Sequence, residues 1–272
     1  MYLLTILSIY DIIAYINIIK RIIMSKIIGI VSGKGGVGKS TICANLAFAL
    51  AAQGKNIIAI DGDIGLKNLD ILLGMTDGSA FDITDILEGR CTVGKAIQTH
   101  EKYPNLSFIS ASQSFDAKDI NRDDYRRLCR YLRGFYDFVL IDAPAGVGET
   151  FRTIASCCDE CIVVATPDLT SIRDAEKTAA ILATYPKLVS RLVINKVNSK
   201  MISKGYLRNI DDIMDSISLP LLGLVPTDDE MVLYSNSGRP VVGSKSICSS
   251  PLFNIAQRVM GINAPLAKLW RK

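Results

Sequence analysis

The sequence predicts one α/β domain, a doubly wound, mostly parallel sheet with helices on both faces. Seven strand-length runs are nearly all apolar instead of alternating, as strands covered on both faces are: Ile27–Ser32, Asn56–Asp61, Ser107–Ser110, Phe138–Asp142, Cys161–Thr166, Arg191–Asn195 and Leu221–Val225. Longer periodic segments of helical length lie between several of them. A glycine-rich turn stands between the first apolar run and the first helical one, where an open α/β sheet carries its ligand site.

In chain order, residues 1–23 come first, rich in isoleucine and tyrosine, with Asp11 mid-run and Lys20-Arg21 at the end. A secretory signal wants positive charge before its apolar core and small residues at a cleavage site, and this segment has neither. As a membrane span it would place Asp11 near the centre, at about 2.5–3.5 kcal/mol. Met24-Ser-Lys-Ile-Ile-Gly-Ile is itself a plausible start and leads directly into the first strand. We therefore read residues 1–23 as an upstream extension and 24–261 as the domain. The bias toward isoleucine, tyrosine, asparagine and lysine points to an AT-rich genome, such as a plastid's.

Helices are expected over Ser40–Gln53, Asn121–Arg133, Leu169–Thr184 and roughly Lys204–Ser216. Asn121 offers a cap before Arg122-Asp123-Asp124, whose two acids suit a helix N-terminus. Ser250-Pro251 opens a last helix with a cap and a proline at its first position, and Gly261 closes it.

The chemistry begins at Gly33–Ser40, G-K-G-G-V-G-K-S, a complete G-x-x-x-x-G-K-[ST] loop. Gly33, Gly35, Gly36, Val37 and Gly38 let backbone N–H groups turn toward a polyphosphate, and the helix starting at Ser40-Thr41 adds its dipole. Lys39 would reach the β- and γ-phosphates of ATP, and Ser40 would ligate Mg²⁺. Lys34 is a second cation in the same loop and needs phosphate charge to offset its repulsion of Lys39. Asp61 and Asp63 close the second strand, and Asp142 ends Phe138-Val-Leu-Ile-Asp, the Walker B pattern. Phosphoryl transfer needs positioning and charge compensation. Asp142 suits a water-mediated Mg²⁺ contact, Asp63 the orientation of attacking water, and Asp61 the support of the turn.

The loop resembles the deviant Walker A motif of the ParA/MinD family of ATPases, which also includes the nitrogenase iron protein. That resemblance implies that Lys34 reaches across a homodimer interface to the partner's nucleotide. With D-G-D-I-G-L-K-N-L-D at 61–70 as switch I and L-I-D-A-P-A-G at 140–146 as switch II, the chain is similar to the division-site branch of the family over residues 25 to 260. The branch implies an ATP-dependent dimer on an anionic membrane, a MinE-like activator and a MinC-like or other division-inhibitor partner. By the same resemblance Asn195 contacts adenine, and Pro226 and Asp228 help hold the base and ribose. The tail 262–272 is shorter than the family's membrane helix but keeps its pattern. At 100° per residue Leu266, Leu269 and Trp270 share one face, with Lys268, Arg271 and Lys272 opposite.

Composition narrows the alternatives. The formal net charge of +4 is spread along the chain, with no basic run suited to nucleic acid, so no specific nucleic acid is expected. That weighs against a ParA-like DNA-partition ATPase. An iron–sulfur reductase on this fold would want a cluster cysteine after Asp142, and Ala143-Pro-Ala-Gly-Val147 has none. Seven cysteines at irregular spacings make no disulfide framework and suit a reducing compartment. Cys158-Asp-Glu-Cys161 lacks a second pair for a metal and is read as small apolar packing. His100, the only histidine, is expected on a surface loop. The expected location is peripheral on the inner face of a membrane, in a plastid stroma or a bacterial cytoplasm.

Overall fold

The computed structural model describes residues 24–63, 68–76, 78–112 and 121–267. The expected N-terminal extension therefore lies outside the described residues, as do residues 64–67 of the switch I string and residues 268–272 of the tail.

Eight strands form a single sheet in the order β3-β4-β2-β5-β1-β6-β7-β8. They are β1 (Lys26–Ser32), β2 (Ile57–Asp61), β3 (Gln98–Thr99), β4 (Leu106–Ile109), β5 (Phe138–Ala145), β6 (Glu160–Ala165), β7 (Val189–Val197) and β8 (Leu221–Pro226). All pairings are parallel except β3 on β4, a two-residue antiparallel edge strand too short to show as a run in the sequence.

The alternation of side chains divides the core in two. Ile28 and Ile30 of β1 with Ile57 and Ala59 of β2 face one layer, while Ile27, Val31, Ile58 and Ile60 face the other. The first layer is covered by α1 (Lys39–Ala51) and α11 (Ser249–Val259). The second is covered chiefly by α5 (Arg122–Arg133), α6 (Glu149–Cys157), α7 (Leu169–Leu182) and α9 (Ile210–Ile217). Burial on both faces explains why these strands carry no polar alternation.

Asn121 caps α5 as expected, its side chain accepting from the Asp123 and Asp124 amides. The last helix starts at Ser249, one residue before the anticipated cap, and Gly261 ends it at φ 81°. The single helix expected near 204–216 is instead α8 (Ser199–Ser203) and α9. Gly205 at φ 75° breaks the run and Asn209 caps its second part. Short helices α2 (Leu69–Leu73), α3 (Ile83–Leu87), α4 (Val93–Ala96), α6 and α10 (Asp229–Asn236) were not anticipated. His100 is a correction: it is 8% exposed, edge-on to Phe48 at 5.6 Å and to Tyr103 at 5.2 Å. Its Nδ1 accepts the Lys102 and Tyr103 amides, so a tight turn around the ring buries what composition alone leaves outside.

Among the described residues no helix is long and apolar enough to cross a membrane. Before the tail leaves the domain, Arg258 donates to Ala264 O at 2.8 Å and Asn254 to Pro265 O at 3.1 Å. Leu266, the next residue, is 42% exposed.

Candidate phosphate-loop site

Sheet register builds the site. Asp142 lies opposite Asp61 on β2 and Ile30 on β1, so both carboxylates emerge at the carboxyl edge beside the loop leaving β1. Lys39, the first residue of α1, donates to Asp142 Oδ1 at 2.7 Å, and both groups are almost fully buried. Burial pushes the Asp142 carboxyl up, opposed first by the Lys39 charge and then by the Lys39 and Ser40 side chains beside it. A hydroxyl and a carboxylate side by side are the hard oxygen donors that Mg²⁺ takes, and the Lys39 ammonium stands next to them. These residues fit a magnesium-bound polyphosphate.

Loop geometry fits as well. Gly38 lies at φ 90°, and a Cβ there would stand 2.3 Å from Asn195 Nδ2. A Cβ on Gly33 would stand 2.3 Å from Asp174 O of α7. Glycine at both ends of the loop is thus required by close approach, independently of any ligand.

Asp61 is buried and accepts three backbone amides: Asp63 at 3.0 Å on one oxygen, Asn68 and Leu69 at 3.2 Å on the other. It shapes the turn into α2 and offers little to a ligand. Burial first, then the neighbouring Asp142 charge, raises its pKa to about 7 against the pull of those amides. Asp63 is half-buried, its pKa raised by burial and by Asp142 while Lys39 opposes. It therefore lies within electrostatic reach of the Lys39–Asp142 pair.

Lys34 sits on the rim, 43% exposed, and donates to Thr170 Oγ1 at 2.7 Å, with Asp168 Oδ1 at 3.5 Å. Asp168 caps α7 through the Ser171 amide. Burial would raise its carboxyl. The Thr166 and Thr170 hydroxyls, the Ser171 amide and the Lys34 charge outweigh that and hold it well below the usual carboxylate range. The sequence reading missed Asp168 and Thr170; a Thr-Pro-Asp-Leu-Thr string closing a strand was their only signal.

Asn195, expected at the adenine, donates its amide to Val37 O at 2.8 Å and so braces the phosphate loop directly. Its neighbour Lys196, unanticipated, adopts φ 53° and donates to Gly36 O at 2.8 Å. Asp228 caps α10 through the Glu230 amide and accepts Ser246 Oγ at 2.5 Å; Pro226 ends β8 with its carbonyl taken by the Cys248 thiol. Both close β8 near the end of β7, where Val197 pairs with Pro226. A cavity of about 950 Å³ lies elsewhere, bounded by Lys95, His100, Tyr234 and Arg239, and none of the residues above lines it.

Residues 28–241 match the CobQ/CobB/MinD/ParA nucleotide binding domain. The MinD of the MinC:MinD cell division protein complex from Aquifex aeolicus superposes with a TM-score of 0.84 at 33% identity, covering 90% of this chain and 99% of that one. The chain belongs to the MinD family. A MinD sequence from Emiliania huxleyi is 37% identical over 240 residues, 88% of each chain. The septum site-determining MinD of Pyrococcus horikoshii, solved with Mg-ADP, superposes at a TM-score of 0.78 and 28% identity over 87% of this chain and 96% of that one. Family membership disfavours both the DNA-partition and the iron–sulfur alternatives.

Proposed function

We propose that this chain is the ATPase that positions a division site, dimerising with ATP and Mg²⁺ bound and releasing when ATP is hydrolysed. The observation that carries the reading is Lys39 and Ser40 converging on Asp142 at the mouth of a complete phosphate loop. Lys39 and the loop amides would compensate phosphate charge, and Ser40 and Asp142 are the residues that would hold Mg²⁺. Bound Mg²⁺ supplies the additional positive charge that phosphoryl transfer requires. Asp61 fixes the turn, and the turn presents Asp63 to orient the attacking water. Asn195, Pro226 and Asp228 flank the base and ribose.

Lys34 acts between subunits. Its own-subunit partners Thr170 and Asp168 are solvent-exposed, so releasing it costs well under about 1 kcal/mol. The tail from Leu266 to Lys272 binds an anionic membrane. Its three cations contribute on the order of 1 kcal/mol each. One copy is weak, and two on a dimer multiply avidity by about 10²–10⁴. A MinC-like inhibitor and a MinE-like activator are the expected partners. The plastid stroma is the favoured setting, supported by the AT-rich residue bias and an algal relative, with a bacterial cytoplasm as the other.

The test is co-sedimentation of the full chain with anionic vesicles, alongside phosphate release. Retention in ATP, release in ADP and loss of retention on deleting Leu266–Lys272 are expected. Retention that ignores nucleotide contradicts the reading.

A further inference from the structure

The cavity of about 950 Å³ lies on the α1 side of the sheet, where the end of α2, the chain flanking β3 and the segment after α10 meet. Two of its walls touch through bare backbone. A Cβ on Gly238 would stand 2.4 Å from Gly74 Cα, and one on Gly74 would stand 2.6 Å from Gly238 O. His100 and Tyr103, edge-on to each other at 5.2 Å, line its inner side. Its volume is that of a small-molecule site.

Charge and polarity indicate what fills it. Lys95, Lys102 and Arg239 line the cavity against one carboxylate, Glu101, and none of the four makes an ion pair among the described residues. Arg239 is held in place. Its guanidinium carbon stands 5.5 Å from the centre of the Tyr234 ring, and its Nε donates to Ser237 Oγ at 3.0 Å. Hydroxyls of Ser79, Thr99, Ser237 and Ser244 share the lining. Gln98, also in the lining, buries its Nε2 with no hydrogen-bond partner, a bond that a folded chain seldom leaves unmade. Uncompensated cations suit a multiply charged anion, phosphate above all for arginine, and the hydroxyls suit a polyol body.

We propose that this cavity is an effector site for a small phosphorylated sugar, held by Lys95, Lys102 and Arg239, whose binding steadies the nucleotide site. Both walls reach that site. α2 begins at Leu69, whose amide Asp61 accepts at 3.2 Å, and ends at Gly74. The chain after Gly238 is tied to α1, where Asn45 accepts the Val241 amide at 2.9 Å and donates to Thr41 O at 3.0 Å. A ligand bridging the walls therefore braces the Asp61 turn and the helix behind the phosphate loop together, and linkage makes the effect mutual. The cavity sits beside edge strand β3, whereas Arg258 holds the base of the tail against β8, at the other end of the sheet. That separation favours a free sugar phosphate over a lipid headgroup of the same chemistry.

The experiment is calorimetric titration of the full chain with fructose 1,6-bisphosphate while MgADP saturates the phosphate loop, and with MgATP in the presence and absence of saturating bisphosphate. One bisphosphate binds per chain, and it raises MgATP affinity about fivefold or more. Arg239→Ala and Lys95→Ala, both at exposed positions, each weaken the bisphosphate about tenfold and leave MgATP affinity in its absence unchanged. Gln98→Leu weakens it about threefold. A parallel arm offers vesicles carrying a phosphoinositide, and binding to the vesicles alone overturns the free ligand. Binding that MgADP abolishes places the bisphosphate on the phosphate loop and overturns the proposal. So do binding undiminished by Arg239→Ala and MgATP affinity that saturating bisphosphate leaves unchanged. MgATP binding in plain buffer is read separately, so failure here leaves the division-site reading standing.

Discussion

Lys34 and Lys39 belong to one loop and live in two environments. Lys39 is buried against a buried carboxylate, with side-chain exposures of 7% and 2%. Lys34 stands with Asp168 at 43% exposure each. A buried pair is held because either charge left alone is costly, whereas an exposed pair exchanges readily for water or another anion. On the function proposed above, this burial suits Lys39 to the nucleotide of its own subunit and leaves Lys34 with partners it can exchange. The interior of the loop is a fixed electrostatic cradle, and its rim is a contact that can be traded.

The interior gives the largest effect. Lys39→Ala should abolish MgATP binding and, by stranding Asp142 beside Asp61, lower stability by about 3–5 kcal/mol. Calorimetric titration and urea denaturation read the two; unchanged affinity would break the comparison at its strong end. Asp63→Ala should slow phosphate release on the order of 10²-fold while nucleotide binding persists, trapping the dimer. Turnover near wild type would hand the water to another group.

Asp61 gives the interior a pH signature. Its folded pKa of about 7 stands above the ordinary carboxylate value of about 4. Between those values the folded protein keeps a proton that the unfolded chain has lost. Nucleotide-free stability should therefore fall as pH rises through that window, by up to about 1.4 kcal/mol per unit, and level off above about 7. Urea midpoints across the range, with Asp61→Asn as the flat control, measure it. On the rim the effect is smaller. Asp168→Ala removes the α7 cap and should cost about 1 kcal/mol, with almost no change in ATP affinity. A loss resembling that of Lys39→Ala would show the rim to be part of the cradle.

The difference between interior and rim was legible in the sequence to unequal degrees. Doubly covered strands read as apolar runs, and G-K-G-G-V-G-K-S announces its own chemistry, so Lys39, Ser40 and Asp142 could be brought together before any coordinates. Long-range pairing was not legible. Thr170 meets Lys34 across 136 positions, and Asn195 meets Val37 across 158, because the segment after β6 and the end of β7 both reach the loop. Short helices such as α2 and α10 escaped because five to eight residues carry too little periodicity. His100 was misread because one polar residue in a turn says nothing of the Phe48 and Tyr103 rings that cover it.

The most direct measurement is the mass of Lys34→Ala by light scattering with saturating MgATP, alongside its nucleotide content. Wild type should be a dimer, and the variant should remain a monomer with ATP bound at near wild-type affinity. A nucleotide-loaded Lys34→Ala dimer, or a variant that no longer binds ATP, would contradict the division of labour between the two lysines.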